Sequence, residues 1–185
     1  MLTATTSGLS GRAMLLSTLL ARPIENDQLW QIRGESFGSQ WDRDTPEAQR
    51  GLALLRESAA AREDRAKLAA DFERLFVGAP PRINPRESAY LPGADPEALR
   101  RLYEDAGVSM SWELPPDHIA CELAYLGQLP LISPSPTRQM TQFTHDHLRA
   151  WAPLCLGEIS LRAGSLLYQG IGALGMDYIE SIPAH

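Results

Sequence analysis

At 185 residues the chain has the length of one domain and enough material to bury a genuine core. Its 23 acidic and 17 basic residues leave a net charge of −6, which argues against a nucleic-acid footprint and suits a cationic partner. The hydrophobic and charged fractions, 44% and 22%, are those of an ordinary globular protein, and no run approaches the roughly 20 apolar residues of a membrane span.

Leu9, Ala13, Leu16 and Leu20 recur at helical spacing behind the candidate caps Ser7 and Ser10, and Pro23 marks the stop. The segment Ala13–Ala21 follows Arg12 as a signal-peptide core would. It is short, broken by Ser17 and Thr18 and followed by Arg22-Pro23 instead of a small-residue cleavage site, so it reads as a first helix. Asn26 caps a second helix carrying Leu29, Trp30, Ile32 and Phe37, with Gly38 near its end. Thr45-Pro46-Glu47 supplies a cap, a first-turn proline and a favourable acid to a third, through Leu52, Leu55 and Ala59. After a break near Glu63-Asp64, Leu68, Phe72, Leu75 and Phe76 form the apolar face of another helix, closed by Gly78.

Residues 78–94 hold Pro80, Pro81, Pro85 and Pro92, which exclude regular helix; so long a loop is usually functional or disordered. Asp95-Pro96-Glu97 restarts a helix through Leu99, Leu102 and Tyr103 to Gly107. Pro115 and Pro116 suit a helix start at residues 115–117, which places Asp117 in the first turn, where free N–H groups and the helix dipole keep it ionised. One face of this helix reads His118, Glu122, Tyr125 and the next Ile119, Leu123, Leu126, so one can pack while the other carries chemistry; Gly127 ends it.

Residues 129–136, with three prolines and two serines, offer a hinge within a single domain spanning 1–185, through which C-terminal helices can exchange between chains; a monomer is the default. Ser135-Pro136 opens a helix with Met140, Phe143 and His147, and Pro153 another with Leu154, Leu161 and Tyr168, in which Gly157, Ser160 and Gly164 share a face. Gly170, Gly172 and Gly175 interrupt the pattern before a short last helix over 176–182. No strand alternation appears. The fold class is all-α, a single globule of about eight to ten helices. Cys121 and Cys155, both in apolar helical patterns, read as reduced buried thiols and point to the cytoplasm.

Pro115-Pro116-Asp117-His118 followed by Glu122-Leu123, Phe72-Glu73-Arg74-Leu75-Phe76-Val77-Gly78 followed by Pro85-Arg86-Glu87-Ser88-Ala89-Tyr90, and Phe143, His147-Leu148 and Trp151 together resemble the motifs of the TorD/DmsD/NarJ family of redox-enzyme maturation chaperones, in the family's order. One departure is plain: Leu114 stands where the family carries Glu, and Glu113 is one position earlier. The resemblance implies an all-helical cytoplasmic chaperone, not an enzyme, for a molybdopterin oxidoreductase of anaerobic respiration. Its partners are the enzyme's twin-arginine leader and the apo catalytic subunit. It implies a peptide site at Leu75, Phe76, Pro115, Asp117 and His118, with Phe72 and Tyr90 behind them and Glu87, Ser88 and Glu122 beside them. Such a leader presents guanidinium groups ahead of an apolar segment, so its receptor needs fixed carboxylates beside an apolar groove.

Plainer readings compete at each position. Asp117 can be a structural first-turn acid, and Glu87-Ser88 a turn. A stripe such as Phe72, Leu75 and Phe76 is more often core, although the proline-rich loop after it can leave its end uncovered. His147 reads as a half-buried histidine, and Glu122 as an orienting partner or a solvated acid. The order His118, His145-Asp146, Asp177 is also that of helical metal-dependent phosphohydrolases, in which imidazoles and carboxylates hold a water-activating metal. No phosphate loop, zinc pattern or nucleophile with its base occurs, so neither cofactor nor resident metal is expected.

Overall fold

The computed structural model describes residues 4–184 apart from 35–36, 39–40, 42 and 111–112. Among the described residues there are nine α-helices and no strand. In chain order they are α1 (Ala4–Ala21), α2 (Asn26–Arg33), α3 (Pro46–Ala60), α4 (Arg65–Phe72), α5 (Pro96–Asp105), α6 (Ile119–Ile132), α7 (Pro136–Phe143), α8 (Ala152–Arg162) and α9 (Leu166–Ser181). Single π turns extend α4 over Glu73–Val77 and α7 over Thr144–Leu148. The chain divides into two compact units: Met1–Ala21, Pro85–Pro153 and Tyr178–His185 form the first, Arg22–Asn84 and Leu154–Asp177 the second.

The first unit is built on α6. The alternation of faces predicts one packed side, but every residue from Ile119 to Gly127 is buried, because α1 runs along one flank and α7 packs on another. Two serines of α1 tie the pair: Ser10 donates to the Gly127 carbonyl at 2.7 Å and Ser17 to that of Ala120 at 2.6 Å. Ser7 and Ser10 therefore lie inside α1, which starts upstream of them. Gly127 does not stop α6; its missing side chain admits Met14 of α1, and the helix continues through Pro130 to Ile132. Proline is tolerated there because it costs only one bond, in the last turn.

In the second unit α2 is shorter than its pattern, ending at Arg33 with Phe37 beyond it and Trp30 exposed. Thr45 caps α3 and Asp64 caps α4, as their residue types predict. The last two helices divide differently from the expectation: α8 ends at Arg162, Gly164 lies in the break, and Tyr168 belongs to α9. Two buried carboxylates hold that break. Asp71 accepts from the Gly164 and Ser165 N–H groups and from Ser165 Oγ, while Glu63 accepts from the Leu166 and Leu167 N–H groups, so the free donors opening α9 are satisfied.

α9 then runs unbroken through Gly170, Gly172 and Gly175, because these glycines mark close approach and not chain breaks. A Cβ on Gly172 would stand 2.6 Å from both Leu156 O and Ser160 N, on the backbone of α8. Gly172→Ala should therefore lower stability by about 1–3 kcal/mol through overpacking, against the gain in helix propensity, as urea unfolding will measure.

Candidate functional site

In the first unit the stretches 85–90 and 115–122 are zipped together by backbone. Ile119 N donates to Pro85 O at 2.9 Å and Glu87 N to Asp117 O at 2.8 Å, an isolated antiparallel bridge between Arg86 and His118. Helix α6 starts two residues later than the prolines suggest. His118, extended at φ −78° and ψ 136°, is its N-cap, and its Nδ1 accepts from the Ala120 N–H at 3.1 Å. That bond puts the ring proton on Nε2. Asp117 consequently precedes the helix instead of standing in its first turn, and its carboxylate faces the neighbouring stretch.

Asp117 is fully buried, and its two oxygens are divided between two residues. Oδ1 receives the Arg86 guanidinium, with Nε and Nη2 each at 3.0 Å; Oδ2 receives the Ser88 N–H at 3.2 Å and the Ser88 hydroxyl at 2.5 Å. Burial alone would raise the carboxyl's pKa, but the bonds from Ser88 and Arg86 outweigh it and hold it below the ordinary aspartate value. His118 is pushed down to about 4, first by burial and then by Arg86, despite Asp117 beside it, so it is neutral at pH 7.

Beneath this pair lie residues that the sequence pattern did not single out as site residues. Tyr103 donates to Pro116 O at 3.0 Å and begins an aromatic row through Tyr125 and Phe143 to His147. His147 Nδ1 approaches Glu87 Oε1 at 3.4 Å without a hydrogen bond, and Tyr90 lies on Trp151 at 5.5 Å between ring centres. Glu122 is neither solvated nor an orienting partner of His118: it is fully buried, and neither of its oxygens has a hydrogen bond. Its pKa stands well above the ordinary value, first through burial and then through the nearby charges of Glu87 and Asp117. Because the folded pKa exceeds the unfolded one, the carboxyl's contribution is present below about pH 4.5 and is lost as pH rises. Glu122→Gln should be more stable than the parent at about pH 7 and lose that advantage towards pH 4.5, which denaturation across pH will check.

Phe72, Leu75 and Phe76 belong to the second unit. Phe72 and Leu75 are buried, with Phe72 against Phe76 at 4.9 Å and Tyr168 at 5.9 Å, while Phe76 is half-exposed. Leu75 is held further by its carbonyl, which accepts from Ile83 N at 2.9 Å. Pro115, half-buried, accepts from His118 N at 3.0 Å.

The phosphohydrolase arrangement is not supported. His118 spends Nδ1 on Ala120, Asp177 is buried beneath Trp41, Arg43 and Thr45, and His145 pairs with Asp146 at the surface. Among the described residues no group of three His, Cys, Asp or Glu side chains could hold a metal. Cys121 and Cys155 are buried and form no disulfide, and the Cys121 thiol is pushed up to about 12 by burial.

A family model described as nitrate reductase delta subunit matches residues 40–156. The chain belongs to this family. The match spans both zipped stretches and the Phe72–Phe76 stripe, and bears out the resemblance to TorD, DmsD and NarJ. Nitrate reductase delta proteins form a family of molybdoenzyme maturation chaperones that act with the catalytic subunits of those enzymes. No curated protein matches the chain. No helix among the described residues is long and apolar enough to cross a membrane.

Proposed function

We propose that this protein is a cytoplasmic chaperone, not an enzyme, that binds the twin-arginine leader of a molybdopterin oxidoreductase and withholds the apo catalytic subunit from export until its cofactor is loaded. The observation that carries the reading is the buried Asp117 carboxylate, kept ionised and seated on a guanidinium, within the stretch that carries the family motif. Glu87, Ser88, Tyr90, Pro115, His118 and Glu122 surround or support that carboxylate. In the second unit Phe76 is half-exposed over the buried Phe72 and Leu75, and is the residue of that stripe available to an apolar peptide segment. His118, neutral at pH 7, caps the helix and adds no charge that would repel an arginine.

Co-purification from the native cell under anaerobic growth, with mass spectrometry of the bound proteins, tests the reading. Recovery of a twin-arginine molybdoenzyme subunit is expected, and its consistent absence would overturn the assignment. The protein acts as a monomer in this reading, and residues 129–136 are the place where α7 and the segments after it would exchange in a swapped dimer. Light scattering that finds monomer over a wide concentration range removes the swapped form.

A further inference from the structure

Asp117 is fully buried and both its oxygens are engaged. Arg86 Nε donates to Oδ1, with Nη2 of the same guanidinium 3.0 Å from that oxygen, and the Ser88 N–H and Oγ–H donate to Oδ2. A further guanidinium can reach it only if a donor leaves. The Ser88 N–H cannot leave alone, because it belongs to the 3₁₀ turn over Glu87–Ala89, itself fixed by the Glu87 N–H on Asp117 O. Arg86 can: its side chain is 37% exposed, is held only at its tip, and has water to rotate into.

The geometry points to Asp117 and Ser88 as a guanidinium seat that Arg86 occupies in the free protein and vacates when an arginine of the partner enters. This rests on the leader-binding reading and adds to it an internal competitor. At the carboxylate the exchange replaces one guanidinium by another of the same shape and charge, so little is gained there. Selectivity for arginine over lysine comes from the planar fork that the seat already holds, and net affinity from the partner's contacts elsewhere. The affinity of a site that is open only a fraction of the time falls by that fraction, so a seat free in about 1–10% of molecules weakens binding roughly 10- to 100-fold.

Two measurements on the full chain test this: affinity for a synthetic twin-arginine leader peptide, and the thermal shift produced by low millimolar methylguanidinium. Arg86→Ala should bind the leader about tenfold or more tightly than the parent. It should melt at a lower temperature and be raised by methylguanidinium, whereas the parent should show no such rise. Arg86→Lys, which keeps a cation over Asp117 and hence the fold, should bind with intermediate affinity, and it carries the test if the alanine variant does not fold. A folded Arg86→Ala or Arg86→Lys protein that binds the leader no more tightly than the parent overturns the exchange. Methylguanidinium rescue of Arg86→Ala with no leader binding by any variant supports the seat while overturning the twin-arginine reading.

Discussion

Asp117→Asn is expected to cost the folded protein about 3 kcal/mol, because the substitution turns an acceptor-only group into a mixed one that cannot satisfy its neighbours. The asparagine keeps one carbonyl oxygen for donors that now sit on two, and its NH₂ must face either the Arg86 guanidinium or the Ser88 N–H and hydroxyl. Either choice sets donor against donor inside a buried site, and Arg86 loses its counter-charge. Read as an acid in an exposed first turn, the same substitution would leave folding almost unchanged and affect only binding. Urea unfolding of parent and variant separates the two readings: a difference within about 0.5 kcal/mol would show that the Arg86 pair contributes nothing to the fold.

Asp71→Ala should be at least as damaging, by about 3–5 kcal/mol. The side chain is 6% exposed and closes the turn between α8 and α9 by accepting from Gly164, Ser165 and Arg74 together. Its loss orphans two backbone donors at a helix start and strands the Arg74 guanidinium, which would retain the Arg162 carbonyl. The effect should depend on pH. Burial raises the pKa of Asp71, but the bonds from Ser165, Arg74 and Gly164 carry it below the usual aspartate value; Glu63, Asp117 and Asp177 are lowered by comparable bonds. A depressed folded pKa means stability that is complete above the unfolded value, about 4, and lost as pH falls through the folded one. The parent should therefore lose stability steeply on acidification, and the alanine variant, lacking one of these groups, should show a shallower acid slope in the same titration.

Much of the fold is legible in the sequence. Prolines marked the starts of α3, α5 and α7, and Thr45 and Asp95 cap theirs as well, because these residues act on their own backbone within one turn; Ser135 precedes α7 without a side-chain cap bond. Apolar spacing gave the all-α class, since a 3.6-residue period cannot be satisfied by strands. The stretches that carry the family motifs, with Asp117, His118, Glu87 and Ser88 among them, could be picked out because their spacing is local.

What the sequence could not decide are the quantities set by distant chain. Glycine in α9 looks like a break until α8 is seen lying within 2.6 Å of where a Cβ would be. Glu122 looks solvated on a helical wheel, yet α6 is enclosed on all sides and the carboxyl is driven towards its neutral form. Arg86 and Asp117 lie 31 positions apart, and no propensity or period relates them. By itself the sequence determined the all-α class, the starts of α3, α5 and α7 and the family, because these follow from short-range backbone chemistry and motif spacing. Only the tertiary structure decided which acids are buried and which cation answers each of them, because desolvation and Coulomb energy depend on what surrounds a group in space, not on what precedes it in the chain.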